Sequence, residues 1–162
     1  MGDPVRVEDV TATTDVQIEV VRLPHAEGLP LPRYETAGSA GMDLAAAVPE
    51  GGLEIGPWGH ALVPTGLRVA LPPGFELQVR PRSGTVLKRG LMVQNSPGTV
   101  DEDYRGEVGV ILLNACPVAR KIGRGERIAQ AVVAPVMRAT WREVAELPET
   151  ARGAGGFGST GT

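Results

Sequence analysis

The chain has 162 residues, 42% of them hydrophobic, a net charge of −3 and a single cysteine. That is one domain's worth of chain, long enough to fold without disulfides or a structural metal, and lone Cys116 excludes an internal disulfide scaffold and argues against a four-ligand zinc site. The acidic balance, with a pI near 5.4, argues against a general nucleic-acid binder, which needs a basic face, but leaves room for a phosphate-bearing small molecule held by a local cationic cluster.

In chain order, residues 1–15 read as a loosely ordered leader with no apolar signal region. No run is long enough to span a membrane. A cytoplasmic location is therefore the default expectation. Val16 to Leu23 alternates and reads as a strand. Met42 to Val48 is a short apolar run after a Gly/Ser/Ala turn. Ala61–Val63 and Leu67–Leu71 read as two strands around Pro64-Thr65-Gly66. Phe75, Leu77 and Val79 alternate with Glu76, Gln78 and Arg80, the pattern of a half-buried strand. Ser83 to Arg89 predicts a short helix with Ser83 as N-cap and Gly90 ending it. Leu91–Val93 and Val108–Leu113 flank the acidic turn Asp101-Glu102-Asp103 and predict a hairpin. Arg127 to Val136 reads as a buried strand, and Trp141 to Leu147 as a last short segment.

Roughly eight or more short strands, dense turns and almost no helix predict an all-β sandwich, jelly roll or barrel. Aromatics make up only 4%, so its core must be aliphatic. There is no internal repeat and no second domain. His25 and His60 lack metal-ligand spacing and read as surface residues.

Five segments hold the unusual residue choices. Pro81-Arg82-Ser83-Gly84 joins a strand to the predicted helix; its backbone N–H groups, hydroxyl and guanidinium suit a phosphate, although it also reads as an ordinary capped turn. In Asn95 through Gly106, a carboxylate at a hairpin mouth can act as general base towards water, and Asn95 can read a nucleobase edge. A charged solvated turn with Tyr104 packed on it is the plainer reading. Asp43, in Ala37 through Leu44, either orients a metal's water shell or braces a turn. Gln130, in Arg127-Ile128-Ala129-Gln130, interrupts an apolar run and needs a partner, either backbone or a ligand phosphate. Arg152 through Gly161 holds five glycines with one arginine, one aromatic and two hydroxyls. That set suits phosphate clamping and base stacking by a mobile tail, or a plain disordered terminus.

The order and spacing of "AGSAGMDL", "PRSG", "GTVDEDYRGE", "RIAQ" and "RGAGGFGSTG" resemble the five motifs of the trimeric dUTPase family, from about Val16 to the end of the chain. The resemblance implies a jelly-roll domain over 16–150, a site-closing tail over 151–162, and a homotrimer with sites shared between subunits. The implied reaction is Mg²⁺-assisted hydrolysis of dUTP to dUMP and pyrophosphate, which limits uracil in DNA and supplies dUMP. By the same resemblance, Asp101 activates the attacking water, and Arg82, Ser83, Gly84 and Gln130 contact phosphates. Asn95, with backbone of Gly98, Thr99, Val100 and Gly109, forms the uracil pocket. Tyr104 packs under the deoxyribose and leaves no room for a 2′-hydroxyl. Asp43, with Gln130, meets the metal through water. Arg152, Phe157, Gly158, Ser159 and Thr160 belong to the tail, with Phe157 stacking on uracil.

Two departures stand out. Ser96-Pro97 is polar and stiff where an apolar stretch is expected, and Ala154 stands where an acidic residue is common. A dCTP deaminase of the same fold would need a glutamate base that is not seen at this hairpin. A non-catalytic binding relative would be expected to lose Asp101 or the tail. A generic β-sandwich interaction module does not account for five ordered motifs.

Overall fold

The computed structural model describes residues 15–156, so most of the leader (1–14) and the end of the tail (157–162) lie outside it. Ten strands and one short helix form the fold: β1 Glu19–Arg22, β2 Met42–Ala45, β3 Leu53–Ile55, β4 His60–Ala70, β5 Phe75–Arg80, α1 Ser83–Arg89, β6 Leu91–Val93, β7 Gly98–Val100, β8 Glu107–Asn114, β9 Arg120–Ile122 and β10 Arg127–Pro135. Two four-stranded antiparallel sheets, ordered β1-β4-β8-β6 and β2-β10-β5-β7, face each other as a sandwich, and β3 and β9 form a small third sheet. The non-consecutive strand order matches the expected jelly-roll class.

The alternation along each strand sets which face is buried. In β8, Val108, Val110 and Leu112 point inward, while Gly109, Ile111 and Leu113 point outward. The core these faces enclose is wholly aliphatic, built around residues such as Val48, Ile55, Val63, Leu91, Leu112, Ile122 and Ile128. Each such side chain contributes roughly 1.5–3 kcal/mol by leaving water. The scarcity of aromatics is thus met by many branched side chains.

Four local expectations change. The run expected as two strands is the single strand β4, in which Pro64 and Gly66 sit where the ladder to β8 shifts between Pro64 and Arg68. A bulge tolerates a residue without an N–H. There Ala47 N–H reaches across to the Pro64 carbonyl, and Leu23 N–H to that of Gly66. Gly66 has φ +68°, and a Cβ on it would overlap the Ala26 methyl. In the helix, Ser83 is not the cap: Arg82 is the N-cap residue and its side chain makes no capping bond, and Gly90 ends the helix at φ 63° as expected. In the expected hairpin, β6 and β8 do pair, but β7 leaves between them to join β5 in the opposite sheet. Trp141 to Leu147 forms no element, and Trp141 and Leu147 are exposed.

Composition gave no hint of one buried polar knot. Asn114, fully buried at the end of β8, donates from Nδ2 to the carbonyls of Ile55, Gly56 and Val118, and its Oδ1 accepts from Cys116 N–H. It ties β3 to the loop after β8. Asn114→Ala should cost about 2–3 kcal/mol, because it strands buried backbone groups. Urea unfolding of the two proteins measures this directly.

Candidate active site

The outer face of the second sheet carries one row of polar side chains. Gln130 on β10 stands opposite Asp43 on β2 and, on its other side, opposite Arg80 on β5. Asp43 is mostly buried and is held by two arginines. Arg82 donates to it from Nε at 2.5 Å and from a terminal nitrogen at 3.2 Å, and Arg127 donates at 3.0 Å. Arg82 also reaches the Arg127 carbonyl at 3.3 Å. Two cations around one carboxylate leave net positive charge at the mouth of the β5–α1 turn.

Gln130 takes the backbone partner that its burial demands: Nε2 donates to the Pro81 carbonyl at 2.9 Å. Its Oε1 lies over Gly41, where a Cβ would collide with it. Gly41 is therefore bare so that the amide can lie flat. Ser83 and Gly84 open α1, where the first helical N–H groups lack partners within the helix. Segments 37–44, 81–84 and 127–130 thus meet at one end of β5.

The hairpin segment lies elsewhere along the same strand. β7 pairs with β5 so that Gly98 faces Val79, Thr99 faces Gln78 and Val100 faces Leu77. The Asn95 amide rests on Gly98, where a Cβ would stand 3.1 Å from its Nδ2. The turn after β7 is fastened at several points. Tyr104 N–H donates to the Asp101 carbonyl at 3.1 Å, Gly74 N–H to the Glu102 carboxylate at 2.5 Å, and Arg68 Nε to the Arg105 carbonyl at 2.5 Å. The Arg105 guanidinium closes the turn on the carbonyls of Glu102 and Tyr104. Asp101 itself is exposed, and its carboxylate has no bonded partner among the described residues.

Gly109 has an open backbone edge. In β8 the Val108 carbonyl and Asn114 N–H turn towards β4, while the Ile111 carbonyl accepts from Gln94 on the β6 side. Alternation along a strand turns Gly109 N–H and C=O to the β6 side as well. The β6 pairing runs only from Asn114 to Leu112. One donor and one acceptor therefore face the gap beside Asn95 and Gly98. Among the described residues, Arg152 is bonded within its own turn, from Nε to the Gly155 carbonyl and from its carbonyl to Gly155 N–H. Phe157, Gly158, Ser159 and Thr160 lie outside the described residues.

Sequence reasoning missed Arg127 as the second partner of Asp43, although it opens the "RIAQ" segment. The fastening of the hairpin by Arg68, Glu102 and Arg105 was also missed, because residues 68 and 74 are remote in the chain from residues 102 and 105.

A jelly-roll sandwich with guanidinium groups at one glycine-rich turn and a free carboxylate at another defines a protein suited to a phosphorylated ligand. The dUTPase family profile matches residues 27–161. The dUTPase of Staphylococcus bacteriophage 80alpha, solved with dUpNHpp, is 24% identical with a TM-score of 0.80, over 90% of this chain and 99% of that one. A mutant dUTPase of phage phi11 of S. aureus, described with a structural Mg(II) ion, is 21% identical with a TM-score of 0.71, over 82% and 99% of the two chains. The chain belongs to the dUTPase family. Its activity is that of a dUTP diphosphatase.

Gly41→Ala should displace the Gln130 amide from the Pro81 carbonyl and lower kcat/KM for dUTP by up to about a hundredfold, the size of loss that a shift of about an ångström can cause. Steady-state pyrophosphate release measures the effect.

Proposed function

We propose that one dUTP is bound and cut by residues drawn from more than one copy of this chain. One observation carries the reading. Asp101 follows Val100, which faces Leu77, so Asp101 lies level with residue 76 of β5. Arg82 lies beyond the other end of that strand. Six residues of extended chain span about 20 Å, too far for a water-activating carboxylate and its own chain's phosphate turn to serve one α-phosphate. With the base at Asn95, Gly98 and Gly109 and the sugar at Tyr104, the triphosphate runs towards Asp101 and away from the same chain's Arg82. A neighbouring copy supplies Arg82, Ser83, Gly84 and Gln130.

A homotrimer is the assembly this reading takes. Met137, Trp141 and Leu147, on the segment after β10, are 92%, 99% and 82% exposed. An apolar cleft of about 800 Å³ opens between the two sheets, lined by residues including Ile18, Leu31, Phe75 and Val133. An arm without a seat and a cleft without a filling are complementary features of one surface in a closed oligomer.

In the reaction, the Asp101 carboxylate orients a water and takes its proton. The water oxygen bonds to the α-phosphorus, the bond to the bridging oxygen breaks, and pyrophosphate leaves. Uracil is read by the open donor and acceptor of Gly109, helped by the Asn95 amide and the backbone of Gly98, Thr99 and Val100. The cytosine edge presents the wrong pattern there. Tyr104 underlies the deoxyribose. From the tail, Arg152, Ser159 and Thr160 hold the γ-phosphate, while Phe157, followed by Gly158, covers the base. Among the described residues no cluster of three His, Cys, Asp or Glu is placed to hold a metal. The Gln130 Oε1, used in no bond to a described residue, is a hard oxygen donor that fits the water shell of Mg²⁺, whereas Asp43, already held by Arg82 and Arg127, would meet that shell only through lone pairs those arginines leave. When bound, Mg²⁺ neutralises charge on the triphosphate. The product dUMP is then available for dTMP synthesis, and uracil is kept out of DNA.

Asp101→Asn should lower kcat by about a thousandfold or more while dUTP still binds, because the base is lost and the pocket kept. Pyrophosphate release and equilibrium dUTP binding test this together; retained turnover removes Asp101 as the base. Truncation at residue 151 should leave a folded oligomer with little activity, as seen by sedimentation and turnover; a fully active truncation rejects tail closure.

A further inference from the structure

We infer that Glu107 is the positioning residue for the Tyr104 ring, and through it governs discrimination between deoxyribo- and ribonucleotides. The inference rests on the reading of Tyr104 as the ring beneath the sugar. Tyr104 is 45% exposed, so no core packing holds it. Its ring folds back over Gly106, where a Cβ would overlap the phenol oxygen. The ring tip donates to the Glu107 backbone carbonyl at 3.1 Å. The ring's position therefore follows that of residue 107.

Residue 107 pairs with Arg68 on one side only of the β4–β8 bulge, because the register shifts between Pro64 and Arg68 and interrupts the ladder next to it. Side chains bridge that interruption. Thr65 Oγ1 donates to the Val108 carbonyl at 2.5 Å. The Glu107 carboxylate accepts from Gly66 N–H at 2.6 Å and lies 2.9 Å from His25 Nε2. Gly66 is in turn fixed by its left-handed conformation and its contact with Ala26. A chain of contacts thus runs from the turn 24–26 through Gly66 and Glu107 to Tyr104. Glu107 touches no part of the proposed nucleotide site with its own side chain; it acts through the backbone it anchors.

The test is the ratio of kcat/KM for dUTP to that for UTP. Glu107→Ala should lower the ratio about tenfold, the worth of one well-made hydrogen bond. Glu107→Gln keeps an acceptor for Gly66 N–H and should hold the ratio within about twofold of wild type. Glu107→Asp, whose shorter arm cannot reach Gly66, should fall like the alanine variant and serves if that one does not fold. A wild-type ratio in folded Glu107→Ala or Glu107→Asp overturns the inference, as does a loss in Glu107→Gln equal to that in Glu107→Ala. Tyr104→Ala separates the two levels. If it too leaves the ratio unchanged, the sugar reading of Tyr104 has failed. If it collapses the ratio while Glu107→Ala and Glu107→Asp do not, only the role of Glu107 has failed.

Discussion

Strand β5 is bonded on one side to β10 and on the other to β7, and the Asp43–Arg82–Gln130 cluster and the segment Gly98–Val100 are both positioned by it. The β10 side brings Gln130 level with Arg80, and through β2 brings Asp43 into the same row. The β7 side fixes Gly98, Thr99 and Val100 opposite Val79, Gln78 and Leu77. A one-residue slip on either side would turn each of these side chains to the other face. Because the rise per residue is fixed, the strand also sets the distance between Arg82 and Asp101. A strand of this length keeps Arg82 and Asp101 apart within a chain, and that separation is what the proposed shared site rests on.

The two ends of β5 have opposite electrostatic character. At the Arg82 end, two guanidinium groups surround one carboxylate that is only 17% exposed. At the other end, Asp101, Glu102 and Asp103 form an acidic turn whose neighbouring cations, Arg105 and Arg68, are spent on backbone carbonyls. Cationic and anionic ends brought together from different copies complement each other without help from the sheet between them. Glu107 and the β4 bulge stabilise the acidic end from below, so the hairpin can stay exposed and still be rigid.

Much of this was legible in the sequence, for reasons tied to particular residues. The alternation from Phe75 to Arg80 gave β5 and its buried face directly, and the low aromatic content foretold the aliphatic core. The five segments were visible because they cluster glycines, arginines and carboxylates that an aliphatic core does not call for. What was not legible depends on contacts between distant parts of the chain. Pro64 and Gly66 look like a strand break, but the carbonyls they keep are used by Ala47 and Leu23. Ser83 has the chemistry of a cap, but the extended Arg82 occupies the N-cap position, and the Arg82 side chain is drawn to Asp43. The burial of Asn114 depends on three carbonyls, from the end of β3 and from loops, that its own strand says nothing about.

The central claim is that Arg82 and Asp101 of one chain serve different nucleotides. Arg82→Ala and Asp101→Asn should each be inactive alone. Mixed in equal amounts and allowed to exchange subunits, they should recover roughly a quarter of wild-type dUTP hydrolysis, since that share of sites would combine an intact Arg82 from one copy with an intact Asp101 from another. A mixture whose subunits exchange yet that remains as inactive as its components would place both residues in a single-chain site and contradict the account.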